Sequence, residues 1–251
     1  MDRYLVLSSD GHVGLPPGGY REYLDPKYRE LFDAALKIQI EKTREAEKLF
    51  LVKEINEQWR RGRDRLLTGA WDHDARNEVM DGDGVAGEVL FPDGITEMNA
   101  PPFGAGIGLT PKGNDHALQW AGARAHNRWL ADFCADYPEQ RAGQAQIFLN
   151  NVDDAVADIV WAHEHGLKGV LLPGAAPDTP WIAPLFSEVY DPIWRVCQEL
   201  DMPLSHHAGG TGIPKLPNTP YSVIMFVLEA GFWANRALWH FTMSGVFERF
   251  P

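Results

Sequence analysis

Tyr4-Leu-Val-Leu-Ser-Ser-Asp-Gly-His-Val-Gly14 is the stretch on which the fold prediction depends. Its apolar half, Tyr4 to Leu7, is typical of a short buried strand, since glycine and proline follow it. Its polar half places Asp10 and His12 two residues apart, and residues at that spacing along a strand point to the same face. A carboxylate and an imidazole on one face can bind one divalent metal, although the same pair also suits a polar turn after an edge strand.

The composition of the chain is that of a globular, enzyme-like protein. Its 251 residues are 45% hydrophobic and include 24 glycines and 18 prolines. The net charge of −12 argues against nucleic acid and anionic membranes as general partners. The two cysteines, Cys134 and Cys197, are predicted to be small buried side chains. No basic-then-apolar leader and no run of about eighteen apolar residues is found, so we expect a cytoplasmic protein without membrane contact.

Short apolar runs alternate with helical patterns along the rest of the chain. After the first strand, further strands are predicted within residues 84–92, 141–149, 168–172 and 202–207. This alternation predicts βαβ units and a parallel sheet. Asn151 and Asp191 are predicted to cap the starts of two of the helices. The segment from Tyr221 onward is apolar and aromatic and predicts one or two buried helices.

Residues 26–70 interrupt this alternation. They are charged and helical in character and contain few strand signals. We therefore predict a helical insertion after the first strand. Such an insertion can cover a barrel site, although a solvated helical hairpin without a functional role fits the pattern equally well.

Histidines close the fifth predicted strand as Asp10 and His12 close the first. His206 and His207 are adjacent there, and in a barrel the ends of all strands meet at one mouth. Neighbouring strand residues point in opposite directions, so only one of the two histidines can face the barrel interior. Either one, taken alone, also suits a buried histidine packed against the outer helices.

Four short segments, taken in their order, resemble the amidohydrolase-related family. They are Ser9–His12, Asp83–Pro92, Pro203–Gly210 and Gly245–Pro251. That family includes aminocarboxymuconate-semialdehyde decarboxylase and decarboxylases of the γ-resorcylate type. The resemblance implies a (β/α)8 TIM-like barrel of the metal-dependent hydrolase type, spanning residues 1–251 as a single domain that contains the insertion. It also implies a bound divalent metal, zinc or manganese.

The resemblance further implies the metal ligands. The family's first-strand pair, often His-x-His, falls on Asp10 and His12, and the Asp-for-His departure resembles one branch of the family. The fifth-strand histidine falls on His207, with His206 as the alternative. The catalytic groups of the family's sixth and eighth strands would follow Pro251, so the catalytic residues are unknown. We expect the barrel to be incomplete here, and the native chain to continue with at least two more strands that carry an acidic ligand.

Three functions fit this set of residues. A metal at the barrel mouth acts as a Lewis acid and activates water, so the first is hydrolysis of a small organic acid, amide, ester or lactone. The second is non-oxidative decarboxylation of an aromatic or muconate-like acid, and the third is an inactive fragment or binding module. Arg76, Arg124 and Arg128 are candidates for holding a substrate carboxylate, although ion pairs elsewhere would explain each of them. We expect a small-molecule substrate and a homo-oligomer, a dimer.

Overall fold

The computed structural model describes residues 4–50, 57–58, 61–92, 99–106, 116–173, 182–207, 217, 219 and 221–251. The chain divides into two compact units. Unit 1 consists of Met1–Gly106 and Ala121–Gln144, and unit 2 consists of Ile107–Trp120 and Ala145–Pro251. Within the described ranges, no helix is both long enough and apolar enough to cross a membrane.

Strands and helices alternate through both units. In chain order they are β1 (Leu7–Val13), α1 (Pro26–Phe50), α2 (Asp64–Thr68), α3 (His73–Asp83), β2 (Gly87–Pro92), α4 (Ala117–Ala135), β3 (Arg141–Gln146), α5 (Val152–Glu164), β4 (Gly169–Leu172), α6 (Asp191–Glu199), β5 (Leu204–His206), α7 (Ser222–Ala234), α8 (Arg236–Met243) and α9 (Val246–Arg249). Short 3-10 helices cover Gly19–Tyr23, Pro102–Gly104 and Glu188–Tyr190.

The sheet is parallel wherever its register is described. In unit 1, β1 pairs with β2 and β2 pairs with β3. In unit 2, β4 pairs with β5, and Ile147, just after β3, donates its N–H to the carbonyl of Leu171 in β4. The strands therefore follow one another in chain order. Five successive parallel strands with intervening helices confirm the predicted fold class, an incomplete (β/α)8-type barrel.

The first strand begins later than the sequence suggested. Pairing with β2 starts at Leu7 opposite Gly87. Tyr4 and Leu5 precede the strand, and their side chains are 95% and 76% exposed. The prediction of a buried strand over Tyr4–Leu7 is therefore wrong. Among the described residues β1 pairs only with β2, so its apolar start lacks the second neighbour that buries β3 and β4.

The predicted burial of the last segment is also wrong. Residues after Tyr221 form three helices, and α7 leaves large apolar side chains in solvent, among them Ile224, Leu228 and Phe232. A helix that is apolar around its whole circumference usually indicates burial. The sequence pattern therefore could not reveal that one face of α7 lies open.

Two helix starts were predicted from capping residues. The side chain of Asn151 accepts a hydrogen bond from the N–H of Asp154 at 3.1 Å and caps α5, as predicted. Asp191 does not cap α6. Its carboxylate instead accepts two hydrogen bonds from Arg249, at 3.0 and 3.2 Å, so it ties the start of α6 to the end of α9.

Candidate metal centre

Asp10 and His12 lie beside an irregularity in β1. Ser8 pairs with Glu88 and Gly11 pairs with Leu90, so β1 uses three steps where β2 uses two. This is the geometry of a β-bulge, which re-aims the side chains around it and is frequent next to active sites. The extra residue falls at Ser9 or Asp10. Asp10 is exposed and His12 is half-buried.

The ring of His12 is oriented by the backbone of β2. Its Nδ1 lies 3.0 Å from the carbonyl oxygen of Pro92. A carbonyl can only accept, so Nδ1 carries the proton and Nε2 of the neutral ring keeps its lone pair. That Nε2 lies 3.3 Å from Oδ1 of Asp10. A backbone carbonyl that fixes the tautomer is the usual support of a metal-binding histidine.

When the His12 ring is neutral, its Nε2 and the Oδ1 of Asp10 are two acceptor atoms that face each other in the second half of β1. A neutral Nε2 and a carboxylate oxygen repel each other unless a proton or a cation lies between them. Imidazole nitrogen and carboxylate oxygen are both ligands of zinc and manganese. Asp10 and His12 therefore fit a divalent metal, and the pairing that the spacing predicted is present in the structure.

The fifth-strand histidines lie in unit 2. His206 is the last residue of β5, and its Nδ1 donates to the carbonyl oxygen of Ala234 at the end of α7, at 3.0 Å. Burial lowers the pKa of His206 below its ordinary value of 6.5. His207 follows the strand directly and is half-buried. The hydrogen bond to α7 accounts for His206 as a packing residue, and the role of His207 as a ligand stays a prediction.

The three candidate arginines are in unit 1. Arg76 contacts Glu88 through Nε and Nη2, at 2.5 and 2.6 Å. Arg128 contacts Asp25 at 3.0 Å and donates to the carbonyl of Tyr23 at 2.8 Å. Arg124 is half-buried on α4. Their role in substrate binding stays a prediction, and the contacts of Arg76 and Arg128 match the ion-pair alternative.

Two features of unit 1 were missed by sequence reasoning. Glu88 is buried in β2, and an acid inside an otherwise apolar strand was the signal that could have revealed it. The Tyr20 hydroxyl accepts a hydrogen bond from the N–H of Leu15 at 3.1 Å and contacts Nδ1 of His126 at 2.9 Å. No local pattern predicts that second contact, because it joins residues far apart in the chain.

The sequence of the chain matches the model of a known protein family. Residues 54–251 match the family model described as Amidohydrolase. Because that match covers most of the chain, the protein belongs to the amidohydrolase family. A search of curated proteins finds no significant match.

Solved structures share this fold. A 2,6-dihydroxybenzoate decarboxylase from Rhizobium has 17% identity and a TM-score of 0.59, with 99% of this chain and 64% of that chain covered. An amidohydrolase from Mycobacterium avium subsp. paratuberculosis K-10 has 18% identity and a TM-score of 0.63, with 100% and 71% covered. A 5-carboxyvanillate decarboxylase from Novosphingobium aromaticivorans DSM 12444, complexed with manganese and 4-hydroxy-3-methoxy-5-nitrobenzoic acid, has 20% identity and a TM-score of 0.57, with 99% and 63% covered. The present chain thus spans about two thirds of the length of these proteins.

Proposed function

We propose that this protein is a metal-dependent hydrolase in which Asp10, His12 and His207 bind one divalent cation, zinc or manganese. The observation that carries the proposal is the His12 ring, whose Nδ1 is held by the Pro92 carbonyl while Nε2 faces Asp10. Membership of the amidohydrolase family supports it. So does the position of the proposed ligands at the carboxyl ends of β1 and β5, where barrel enzymes carry their chemistry.

The proposed ligands leave the cation open to a substrate. The Asp10 side chain is 64% exposed and that of His12 is 30% exposed, so a small organic acid, amide, ester or lactone can approach from solvent. When bound, the cation would polarise a substrate oxygen or activate water. Asp10 offers a carboxylate oxygen, and the hydrogen bond to the Pro92 carbonyl orients the His12 ring so that Nε2 is the atom left to bind a cation.

A second candidate is non-oxidative decarboxylation of an aromatic or muconate-like acid. The observation that favours it is the similarity to the Rhizobium and Novosphingobium decarboxylases. In that case the same three ligands would hold a cation against substrate oxygens. Arg124 and Arg128 are the proposed contacts for the substrate carboxylate.

The broader setting of the protein is also proposed. Family similarity extends over residues 54–251, which supports one hydrolase domain over residues 1–251 with residues 26–70 as a helical insertion. The two cysteines are free and buried, as is usual in a reducing cytoplasm. The exposed apolar face of α7 supports a homodimer.

The test measures metal binding and turnover with the same purified protein. Mn²⁺ and Zn²⁺ are titrated by calorimetry, and the loaded protein is offered a panel of esters, lactones and amides, then a panel of hydroxybenzoates. Metal-dependent hydrolysis is the expected result. Release of carbon dioxide without hydrolysis would replace it with the second candidate. A protein that binds neither metal and turns over neither panel would contradict both and favour the inactive fragment.

The ligand assignment has its own test. His12→Ala should lower the affinity for Mn²⁺ at least about tenfold, since loss of a ligand should cost more than changes around it, which already reach tenfold. His206→Ala is the matched control, because that ring is held by the Ala234 carbonyl, and it should change the affinity much less. Equal affinities for His12→Ala and the wild type would remove His12 from the site.

A further inference from the structure

We propose that the buried ion pair of Arg76 and Glu88 positions the metal ligands Asp10 and His12, and that Gly11 is glycine to admit this pair. The inference rests on the proposed metal site. It gives Arg76 a different task from substrate binding: it acts through the ligands and touches no substrate. All the residues concerned lie in unit 1.

The pair is built for fixed geometry. Nε of Arg76 contacts Oε1 of Glu88 at 2.5 Å, and Nη2 contacts Oε2 at 2.6 Å. Two parallel hydrogen bonds between a guanidinium and a carboxylate fix both planes. The side chains are only 13% and 4% exposed. A pair this buried is held firmly in place, and it brings a rigid surface from α3 and β2 against β1.

That surface meets β1 between the two ligands. A Cβ atom on Gly11 would lie 3.0 Å from Nη2 of Arg76 and 3.1 Å from Oε2 of Glu88. It would also lie 3.1 Å from the carbonyl oxygen of Val89. Any side chain at this position would have to push the pair or β2 away. The residue between Asp10 and His12 is thus packed directly against the ion pair.

Arg76 also holds the backbone of His12. Its Nη1 donates to the carbonyl oxygen of His12 at 3.2 Å and to that of Gly69 at 3.0 Å. The ring of the same histidine donates to the carbonyl of Pro92. His12 is therefore fixed at its main chain by Arg76 and at its ring by β2. Loss of the first contact would leave the main chain of His12, and with it the position of Nε2, less firmly held.

Charge explains why an acid accompanies the arginine. An isolated guanidinium close to the ligands would repel a divalent cation, since like charges interact strongly where water is excluded. Glu88 cancels that charge while leaving the remaining N–H groups of Arg76 free to bind the carbonyls of His12 and Gly69. The pair thus supplies rigidity to the site without a net charge.

The experiment compares Mn²⁺ affinity with folding stability. Arg76→Lys keeps the charge and gives up the two-pronged contact, and Gly11→Ala introduces the clashing Cβ. Each should weaken Mn²⁺ binding about tenfold to a hundredfold, the range for residues that support metal ligands. Affinity is measured by calorimetry well below each variant's melting temperature, and the electron paramagnetic resonance spectrum of bound Mn²⁺ should broaden or shift.

Two further variants separate positioning from simple support of the fold. Gly122→Ala is the matched control for Gly11→Ala, because the added Cβ would overlap the carbonyl oxygen of Pro102 within the same unit. It should lower the melting temperature and leave Mn²⁺ affinity unchanged. The double variant Arg76→Met, Glu88→Leu replaces the pair with apolar side chains, which often preserves stability. This double variant should fold, but its affinity for Mn²⁺ should be lower than that of the wild type.

The outcomes are distinct. Wild-type affinity in Arg76→Lys and Gly11→Ala would overturn the positioning role alone. So would an equal loss of affinity in Gly122→Ala, because the effect would then follow stability rather than position. A wild-type protein that binds no Mn²⁺ would overturn the proposed metal site, and the positioning role with it.

Discussion

His126 is a fully buried histidine with a single described hydrogen-bonding neighbour, the hydroxyl of Tyr20. Among the residues that the structure describes, none is a hydrogen-bond partner of its Nε2. Burial lowers the pKa of the ring from 6.5 to about 3. The ring is thus neutral in the folded protein at physiological pH, and the cost of charging it there makes it a source of acid sensitivity.

The direction of that sensitivity follows from proton binding. Between pH 6.5 and about 3 the unfolded chain binds a proton at His126 that the folded protein does not, so acid favours unfolding. Above pH 6.5 His126 is neutral in both the folded and the unfolded state, so it does not lower the free energy of unfolding. Below pH 6.5 this residue lowers the free energy of unfolding increasingly, until the pH reaches about 3. We expect the free energy of unfolding to lose up to about 1.4 kcal/mol per pH unit through this residue.

Urea unfolding at several pH values tests this expectation. His126→Asn should flatten the dependence of the unfolding free energy on pH, whatever it does to stability at neutral pH. The exposed His163 on α5 provides the control, and His163→Asn should keep the wild-type slope. The same slope in His126→Asn and in the wild type would show that His126 does not carry the effect.

Only some of the contacts around the candidate site can be predicted from local sequence patterns. The closeness of the Asp10 and His12 side chains was predictable, because the two residues are only two positions apart in β1. The contact of Arg76 with Glu88 was not predictable, since it joins the first turn of α3 to β2 and no local sequence pattern indicates it. Tyr20 and His126 were harder still, because only the folded backbone of unit 1 brings them together.

Helix α4 can pack closely against a neighbouring turn because it has a glycine, Gly122, at the point of contact. A Cβ atom on Gly122 would overlap the carbonyl oxygen of Pro102, and it would lie 3.3 Å from the Cβ of Ala105. The chain around the Pro102–Gly104 turn therefore packs directly onto the backbone of α4. Closer contact of this kind is open only to glycine.

Gly122→Ala should destabilise the protein by about 1–3 kcal/mol, the usual cost of overpacking a close contact. The expected fall in melting temperature is several degrees. Gly231→Ala in α7 is the matched control, because its Cβ would meet nothing within 4 Å, and alanine suits a helix interior better than glycine by about 0.5–1 kcal/mol. Thermal melts of the two variants should move in opposite directions. An unchanged melting temperature in Gly122→Ala would contradict the close contact between Gly122 and the Pro102 carbonyl.

The elements themselves were predictable to different degrees. The strands β2 to β5 all lie within their predicted ranges. Only β2 and β4 are mainly apolar, whereas β3 and β5 also contain polar residues such as Gln144 and Ser205. The start of β1 was misplaced because apolar residues indicate burial only where a neighbouring strand covers them. The prediction that Asp191 caps α6 was wrong because its carboxylate binds the distant Arg249 instead.

For the whole molecule, alternation of strands and helices was enough to predict the fold class. It was not enough to show which helix faces stay open. On α7 the side chains of Leu228 and Phe232 are 68% and 60% exposed. An exposed apolar face of this kind usually marks an interaction surface.

We expect this face to be the centre of the proposed homodimer. Leu228→Glu combined with Phe232→Glu should shift the protein toward monomers in size-exclusion chromatography with light scattering, because buried charges without partners oppose association. Ile38→Glu on α1, at a site that is also exposed, is the control and should leave the oligomeric state unchanged. A protein that is monomeric before any substitution would contradict the dimer.

The two cysteines have one more consequence. Cys134 lies in unit 1 and Cys197 in unit 2. Both thiols are buried, and burial raises their pKa values to about 11 and about 12. An alkylating reagent attacks the thiolate, so each sulfur can react only while its own surroundings are briefly open. Each unit thus contains one cysteine whose alkylation rate reports how often its surroundings open. Mass spectrometry of the two labelled peptides would give the opening rates at Cys134 and at Cys197 from a single reaction.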